Sequence, residues 1–231
     1  LFANVYMNSF LEKHVNLATN IKKGKWHSLL AFHMVQPANK VDKDKDDFLD
    51  LPLLTRYMIM NKWKVRKEHD WGWSSEIAVR FLNENRVGGQ IYFNPGEHKG
   101  SSSIYGNTVK LNQPEMWAKT SYRFNDVHRL TLYTSGFLQN QESFFGSLSY
   151  KAKQNNAFIN LQHEFKYSTN HDLKTGISFK HLDINEDIVF TDNIINRNYD
   201  GKYNRLENVV GLFTENTMSF FKGKLTWIAG I

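Results

Sequence analysis

Residues 157–183 read AFINLQHEFKYSTNHDLKTGISFKHLD, and this stretch decides the fold. Its side chains alternate in character, so that one set of alternate positions is mostly apolar and the other set is mostly polar. The mostly apolar set comprises Ala157, Ile159, Leu161, His163, Phe165 and Tyr167, and then Leu173, Thr175, Ile177, Phe179 and His181. A period of two is the pattern of a β-strand, so the stretch predicts two strands joined by a turn at 169–172.

The length of these two strands narrows the choice of fold. Each alternating run is about 11 residues long, whereas strands of soluble domains are usually about 5 or 6 residues long. Tilted strands that cross a bilayer need about 9 to 11 residues. The predicted hairpin is therefore long enough to span a membrane.

The composition excludes other classes of protein. No run of about 18 apolar residues occurs, which excludes a membrane-spanning helix. The 29 basic and 23 acidic residues are scattered along the chain, so nucleic acid is not an expected partner. The mean hydropathy of −0.53 is compatible with a membrane barrel, because half of each spanning strand faces a polar lumen. The absence of cysteine does not decide the compartment.

Alternation elsewhere in the chain predicts about eleven strands, connected by links of two kinds. The candidate strands are 1–8, 12–22, 25–35, 54–65, 71–83, 113–124, 127–137, 148–168, 173–183, 205–216 and 224–231. Short links are predicted at 23–24, 66–70, 125–126, 169–172 and 217–223, and long links at 36–53, 84–112, 138–147 and 184–204. Outer-membrane barrels have short turns at one rim and longer loops at the other, so this alternation favours a barrel over a β-sandwich.

Two further strands separate apolar from charged side chains. The apolar sets are Trp73, Ile77, Val79 and Phe81, and Met116, Ala118, Tyr122 and Phe124; the polar sets are Ser74, Glu76 and Arg80, and Glu115, Lys119, Ser121 and Arg123. A wet lumen and a lipid-facing exterior require this separation, although a soluble sheet with one solvated face would also show it. The pattern does not assign faces in 54–65 or 205–216, and 148–156 is expected to project beyond the membrane.

The predicted fold class is all-β: an antiparallel, up-and-down transmembrane β-barrel segment of about eleven strands. We expect no helix longer than two turns outside the long loops. Both ends of the chain lie within predicted strands, at 1–8 and 224–231, so we expect an internal fragment whose closing strands lie elsewhere in a longer protein.

Several local motifs resemble one family. They are VDKDKDDFLDLP at 41–52, NKW at 61–63, GGQ at 88–90, YKAKQNN at 150–156, VVGLFTEN at 209–216 and KLTWIAG at 224–230. In this order and spacing, which covers nearly the whole chain, they resemble the barrel of TonB-dependent outer-membrane receptors, particularly those of Bacteroidetes-type bacteria.

The resemblance implies a barrel of about 22 strands with an N-terminal plug inside it. It implies energised import of a bulky, scarce nutrient such as a ferric siderophore, haem or cobalamin, through a protein in the bacterial outer membrane. Outer-membrane lipid and the TonB complex would be its partners, the latter through an N-terminal region that precedes this sequence. Plug, TonB box and closing strands are expected outside residues 1–231.

No catalytic motif is present, and we expect a protein that is not an enzyme. The nine His residues show no HExxH or other paired-ligand spacing, and neither GxSxG nor a phosphate-binding loop occurs. Two other functions stay open: a passive porin or channel segment with strands of similar length, and a soluble β-sheet binding module. No cofactor is required by any of the three.

Candidate ligand contacts follow from the predicted faces and loops. The lumen-facing candidates are Trp117, Lys119, Arg123, Arg129 and Tyr133, and the long-loop candidates are Gln90, Tyr92 and Phe93. These side chains are expected to meet a metal chelate or a corrinoid that descends from outside. Lumen charges also pair with one another or with a plug, which is the alternative role.

A divalent-cation site is expected in the loop 42–50. Asp42, Asp44 and Asp46 have the DxDxD spacing of a calcium loop, Asp50 occupies loop position 9, and Phe48 offers a backbone carbonyl at position 7. Position 6 is Asp47 instead of Gly, and position 12 is Leu53 instead of Glu, so only the local ligand geometry of an EF-hand is expected. Lys40, Lys43 and Lys45 support the alternative, a solvated loop that neutralises its own charge. Some receptors of the resembling family order aspartate loops with Ca²⁺ before they bind cobalamin, which favours calcium here and a corrinoid as ligand.

Overall fold

A computed structural model describes residues 1–66, 71–101, 103–192 and 196–231, which form one antiparallel sheet of 11 strands. The strands follow one another across the sheet in the order of the sequence, so every connection joins neighbours. They are β1 Phe2–Met7, β2 Lys13–Lys23, β3 Trp26–Gln36, β4 Leu53–Arg66, β5 Gly72–Gly89, β6 Gly106–Arg123, β7 His128–Phe145, β8 Leu148–Ser168, β9 His171–Asp192, β10 Arg197–Phe220 and β11 Leu225–Gly230.

The predicted antiparallel, all-β fold is confirmed. In the described part of the chain, the one helical segment is a single 3-10 turn at Phe221–Gly223. None of the helices in those residues is long and apolar enough to cross a membrane. β1 and β11 are the two edge strands, as expected for the segments 1–8 and 224–231.

Five strands, β5, β6, β7, β9 and β10, extend into predicted long links, whereas β8 has its predicted bounds. The extensions cover most of 138–147 and 184–204 and both ends of 84–112, so the predicted alternation of short and long links is wrong. Both faces of these extensions carry polar residues, so the sequence shows no clear alternation of apolar and polar side chains there. The strands form nevertheless, because backbone hydrogen bonding does not depend on an apolar face. The turn between β8 and β9 is also shorter than predicted, because it comprises only residues 169–170. Residues 67–70 of one predicted short link and 193–195 of one predicted long link lie outside the described residues.

The hairpin of β7 and β8 shows why one long link disappears. Gly146 and Ser147 alone connect the two strands, and Gly146 has a φ of 61°. A two-residue connection containing Gly is typical of a tight β-hairpin, because Gly adopts positive φ without steric cost. The strands then pair continuously from Phe145 and Leu148 to His128 and Phe165.

Cross-strand pairing places the predicted apolar residues on one face, which we call the outer face. Its central positions run in register across neighbouring strands because directly opposed residues point to the same side of a sheet. They include Ile59, Phe81, Val79, Met116, Leu132, Leu161, Ile177 and Leu212. The faces that the sequence left open are now assigned: Tyr57, Ile59 and Trp63 lie on the outer face of β4, and Leu206, Val210 and Leu212 lie on that of β10.

The opposite face, which we call the inner face, is crowded and charged. Ala78 and Thr131 on this face are 0% exposed, as expected where side chains converge on the inside of a curved sheet. Among the residues that the structure describes, ion pairs between its strands include Arg56–Glu84, Lys62–Glu76, Lys64–Glu76, Arg80–Glu115, Arg129–Glu164 and Lys174–Glu215. The two faces therefore have the chemistry of a lumen and of a lipid-facing wall.

An aromatic belt marks one end of the outer face. It lies at the short-turn rim, which is the edge where β2, β4, β6, β8 and β10 end. Ring centroids there are 5.2 Å apart for Trp73 and Tyr122, 4.8 Å for Tyr122 and Phe124, and 4.9 Å for His128 and Phe165. Membrane barrels carry such belts where the wall meets the interface between lipid and water. The opposite edge, where β1, β3, β5, β7 and β9 end, is the long-loop rim.

Leu161→Arg tests the assignment of the outer face. If the outer face contacts lipid, the substitution should lower the free energy of unfolding of the intact protein in lipid vesicles by about 2 to 4 kcal/mol, because a cation would then lie near the middle of the bilayer. A denaturant titration that follows Trp fluorescence measures this change.

Asn160→Arg is the matched control, since the neighbouring residue Asn160 lies on the charged inner face. The control should change the unfolding midpoint much less than Leu161→Arg does. Equal destabilisation by the two variants would contradict the assignment of faces.

Candidate functional site

The five lumen-facing candidates lie together on the inner face of β6 and β7. Cross-strand pairing places Lys119 opposite Tyr133, and the Lys119 Nζ lies 5.3 Å from the centre of the Tyr133 ring. Arg123 and Arg129 face one another two residues nearer the short-turn rim than the buried pair of Ser121 and Thr131. Trp117 lies on the same face of β6, opposite Ser135.

Both arginines of this group already have acidic partners. Arg123 donates to Asp126 over 2.9 Å and also to the backbone carbonyl of Asn125, while Arg129 donates to Glu164 over 3.2 Å. These contacts correspond to the alternative role predicted from the sequence, in which charged side chains of the lumen pair with one another. Exposed pairs of this kind add little stability, so they hold the arginines in place and balance charge without fixing the fold.

The three long-loop candidates lie at the opposite end of the sheet. Phe93 is 2% exposed and packs on Gly106, where a Cβ would collide with its ring, and Gln90 accepts a hydrogen bond from the backbone N–H of Tyr105 over 2.7 Å. Tyr92 is 71% exposed and offers the accessible surface. A strand rises about 3.3 Å per residue, so the part of β6 from Gly106 to Lys119 is roughly 40 Å long. The eight candidates therefore form two separate groups.

The two long loops, 37–52 and 90–105, are joined to one another. The Ile91 N–H donates to the carbonyl of Asp47 over 2.8 Å, and the Leu49 N–H donates to the carbonyl of Gly89 over 3.0 Å. Lys40 adds a third link, because its Nζ donates to the carbonyl of Ile91 over 2.9 Å. The aspartate loop and the loop that carries Tyr92 therefore form one unit at the long-loop rim.

Three of the four predicted aspartate ligands converge. Carboxylate oxygens of Asp42, Asp44 and Asp50 lie within 4.8 Å of one another. Asp46 is not part of this group, and its carboxylate accepts a hydrogen bond from the N–H of Phe48 over 2.8 Å. Phe48 itself forms a β-bridge with Gln90.

Asp42 accepts the most backbone hydrogen bonds of this cluster. Its carboxylate accepts hydrogen bonds from the backbone N–H groups of Lys45, Asp46 and Asp47, over 2.7, 3.2 and 3.0 Å. Lys45 and Asp47 have φ angles of 62° and 67°, and this left-handed backbone aims the N–H groups at the carboxylate. A cation would have to share that oxygen pair with the backbone.

The pKa of the Asp44 carboxyl is raised above its ordinary value. The largest cause is desolvation, followed by the negative charge of Asp46, a hydrogen bond with Asp42 and the negative charge of Asp50. Three converging carboxylates repel one another, and either a proton or a cation relieves that repulsion. The calcium site stays a prediction that this geometry makes testable.

A third group of residues was missed by the sequence analysis. It lies on the inner face of the strand extensions at the long-loop rim, and we call it the aromatic vestibule: Phe145, Leu148, Tyr150, Phe190, Tyr199 and Tyr203. Four of these residues lie in segments that were predicted to be loops, within 138–147 and 184–204. A period of two was present at Ile188 and Phe190 and would have revealed a strand.

The vestibule offers open ring surface beside hydrogen-bonding groups. Tyr199 and Tyr203 are 45% and 49% exposed, their hydroxyls contact one another, and the missing side chain of Gly201 makes room for the Tyr199 ring. The Tyr150 hydroxyl donates to Glu186 over 2.7 Å. Burial, followed by this hydrogen bond and the charge of Glu186, raises the pKa of Tyr150 to about 12, so the hydroxyl remains protonated at neutral pH.

Calcium titration tests the aspartate cluster. If Asp42, Asp44 and Asp50 ligate Ca²⁺, then Asp44→Asn with Asp50→Asn in the intact protein should abolish the heat of calcium binding measured by calorimetry. Lowering the pH through the raised pKa of Asp44 should weaken binding, because protons compete for the same oxygens.

Asp46→Asn is the matched control for that titration, since Asp46 is outside the cluster. It should leave most of the calcium affinity intact. An unchanged heat in the double variant would show that the cluster binds no calcium.

Replacing Lys119 and Arg123 together with Ser tests their contact with a ligand. If they meet the imported molecule, uptake should fall while the amount of receptor at the cell surface stays the same. Asp126→Ser releases Arg123 from its partner without removing the cation and serves as the control. Unchanged uptake in the double variant would assign both residues to charge balance alone.

Comparison with known proteins identifies the fold. No protein-family model matches the sequence, and no curated protein matches it either. Among solved structures, the copper transporter OprC is 9% identical, with a TM-score of 0.62 over 99% of this chain and 45% of its own. The ferric yersiniabactin uptake receptor FyuA from Yersinia pestis is 11% identical, with a TM-score of 0.56 over 90% of this chain and 35% of its own. The chain thus spans less than half the length of either protein, and it shares the antiparallel, all-β fold of the matched segments, which resembles part of a TonB-dependent receptor barrel.

Proposed function

We propose that this chain is part of the wall of an outer-membrane receptor that imports a bulky, scarce nutrient with energy supplied through TonB. The observation that carries the proposal is the aromatic vestibule. It places open rings on the inner face at the long-loop rim, directly above an ion-paired lumen and behind a lipid-facing wall. A molecule that enters from the long-loop side would meet these rings first.

The chemistry of the vestibule favours a metal chelate or corrinoid as cargo. Aromatic faces bind flat, conjugated parts of a ligand by stacking, and Tyr hydroxyls and Glu186 supply polar contacts at the edge. Ferric siderophores, haem and cobalamin all combine a large organic surface with polar groups. The similar structures are named for copper transport and for ferric yersiniabactin uptake, which supports a metal or its chelate.

The proposed import requires no covalent catalysis, so the residues of this segment bind and guide rather than react. The TonB complex and a plug would act from regions of the receptor beyond residues 1–231. The cell location that fits this mechanism is the bacterial outer membrane, where the aromatic belt at the short-turn rim would lie at the periplasmic interface.

A passive porin with the same wall is the second candidate. An unplugged pore would conduct ions in a planar bilayer, whereas a plugged receptor would not. The upstream sequence separates the two in another way, since a plug-like domain of roughly 130 residues and a TonB box would favour the receptor. A receptor that stays monodisperse in water without detergent would instead support a soluble β-sheet binding module.

Tyr199→Ala with Tyr203→Ala in the intact receptor tests the proposed function. Uptake should be measured in whole cells with three separate probes: a ferric siderophore, haem and cobalamin. Stacking contributes about 1 kcal/mol per ring beyond area burial, so loss of two rings should weaken binding of the imported probe roughly tenfold or more.

Tyr57→Ala with Tyr167→Ala is the control for this experiment, because both side chains are exposed on the outer face. The control should leave probe affinity unchanged. Equal uptake of every imported probe by the vestibule variant and the unmodified receptor would contradict a role of the vestibule in binding.

A further inference from the structure

Four oxygen-bearing side chains of the aromatic vestibule and its edge lie on three neighbouring strands. They are Tyr150 on β8, Glu186 on β9, and Tyr199 and Tyr203 on β10. Glu186 is the direct cross-strand partner of Tyr203, and it is diagonal to Gly201, which pairs with Ile188. Diagonal neighbours in an antiparallel sheet lie about 7 to 8 Å apart, within reach of long side chains. The four groups therefore occupy one small patch of the inner face.

The two phenol hydroxyls of β10 meet above Gly201. Tyr199 and Tyr203 are separated by roughly 13 Å of extended strand, so upright rings would not touch. Instead the rings lean toward one another until their hydroxyls are in contact, and the Tyr199 hydroxyl occupies the space that a side chain at Gly201 would fill. Two oxygen donors are thus held at one point, on rings that remain almost half exposed to a ligand.

Glu186 adds a carboxylate to the same patch. Its Oε1 accepts a hydrogen bond from the Tyr150 hydroxyl over 2.7 Å, while its Oε2 accepts none in the part of the chain that the structure describes. The pKa of Tyr150 is raised to about 12, so this hydroxyl keeps its proton and orients Glu186. Glu186 and Tyr203 also line one cavity of about 700 Å³, which gives a ligand access to both.

The chemistry of these donors selects the kind of metal that they can bind. A phenol has an ordinary pKa of about 10, so near neutral pH it loses its proton only to a strongly polarising cation. Ca²⁺ takes carboxylate and neutral carbonyl oxygens, and Zn²⁺ and copper are bound mainly by nitrogen and sulfur. Fe³⁺ has the high charge that phenolate binding requires, and Tyr is one of the known protein ligands of iron.

We propose that Tyr199, Tyr203 and Glu186 coordinate ferric iron directly, as part of a chelate that leaves positions on the metal open. An Fe–O bond forms at each of the three side chains, and the protons of both phenols pass to solvent. The iron stays ferric, so no electron is transferred. A small carboxylate chelator supplies the remaining ligands.

This inference rests on the proposed function and narrows its cargo to a weakly chelated ferric ion. A siderophore that fills every coordination position leaves no place for protein oxygens. Haem offers an axial position on each side of its ring, whereas the three protein oxygens approach from the same side. Neither of these ligands would use the whole donor set, although both could still stack on the rings.

Titration of the intact protein with ferric nitrilotriacetate, which leaves positions on the iron open, tests the site. Phenolate bound to Fe³⁺ absorbs visible light by charge transfer, whereas iron held by carboxylates alone, as in the aspartate loop, gives no such band. The band should appear and reach its maximum at equimolar iron. It should weaken as the pH falls, because protons compete for the phenolate oxygens.

Two sets of variants separate iron coordination from stacking. Tyr199→Phe with Tyr203→Phe keeps both rings and removes both hydroxyls, so it should abolish the charge-transfer band. Glu186→Gln should lower the affinity for iron at least about tenfold, since even the loss of an outer-shell partner of a metal site costs that much. The band should persist in Glu186→Gln at saturating iron, because both phenolates remain.

Tyr57→Phe with Tyr167→Phe is the matched control, because both hydroxyls lie on the outer face. The control should leave the band unchanged. Ferric desferrioxamine, whose iron is fully coordinated, should show the same spectrum with and without the protein. Absence of the band in the unmodified protein, its survival in Tyr199→Phe with Tyr203→Phe, or its equal loss in the control would overturn the ferric site.

The outcomes also distinguish this inference from the proposed function. Uptake that is lost in Tyr199→Ala with Tyr203→Ala, but retained in the corresponding Phe variant without any band, would overturn the ferric site alone and leave stacking as the role of the rings. A protein that shows the band but imports none of the probes would overturn the proposed function and leave the metal site.

Discussion

The backbone hydrogen-bond ladder that joins the strands is the constraint on which the rest of the structure depends. Hydrocarbon offers no water to N–H and C=O groups, so a membrane-crossing chain must satisfy them within the protein. From β1 to β11 each strand pairs with its sequence neighbours, and β8, β9 and β10 pair over most of their length. This ladder fixes the register, and the register decides which side chains face lipid and which face the lumen.

The consequences of register are visible across the whole sheet. A slip of one residue would move every side chain of a strand to the other face. In the observed register, the row Leu132, Leu161, Ile177 and Leu212 lies outside, while the pairs Arg80–Glu115 and Arg129–Glu164 lie inside. Each ion pair is weak by itself, but a slipped register would place these charges in hydrocarbon. The charges thus specify the register more than they add stability.

The sequence predicted the membrane-crossing part of the fold because lipid and lumen impose opposite polarity on alternate residues. The sequence did not predict the strands beyond this part, where alternate residues no longer need opposite polarity. The segments 138–145 and 184–192 carry polar and apolar residues on both faces yet remain paired, so their strands and the aromatic vestibule were missed. In the aspartate loop, spacing placed Asp42, Asp44 and Asp50 correctly, but the positive φ angles of Lys45 and Asp47 turn Asp46 toward Phe48. Spacing alone carries no information about such a turn.

The paired extensions of β7 to β10 give the outer mouth a rigid collar instead of a fringe of mobile loops. Continuous ladders fix the spacing of neighbouring strands at this rim, so the positions of its side chains are set before any ligand binds. A preordered surface loses less conformational entropy when it binds a partner than mobile loops would, so the collar is suited to rigid recognition.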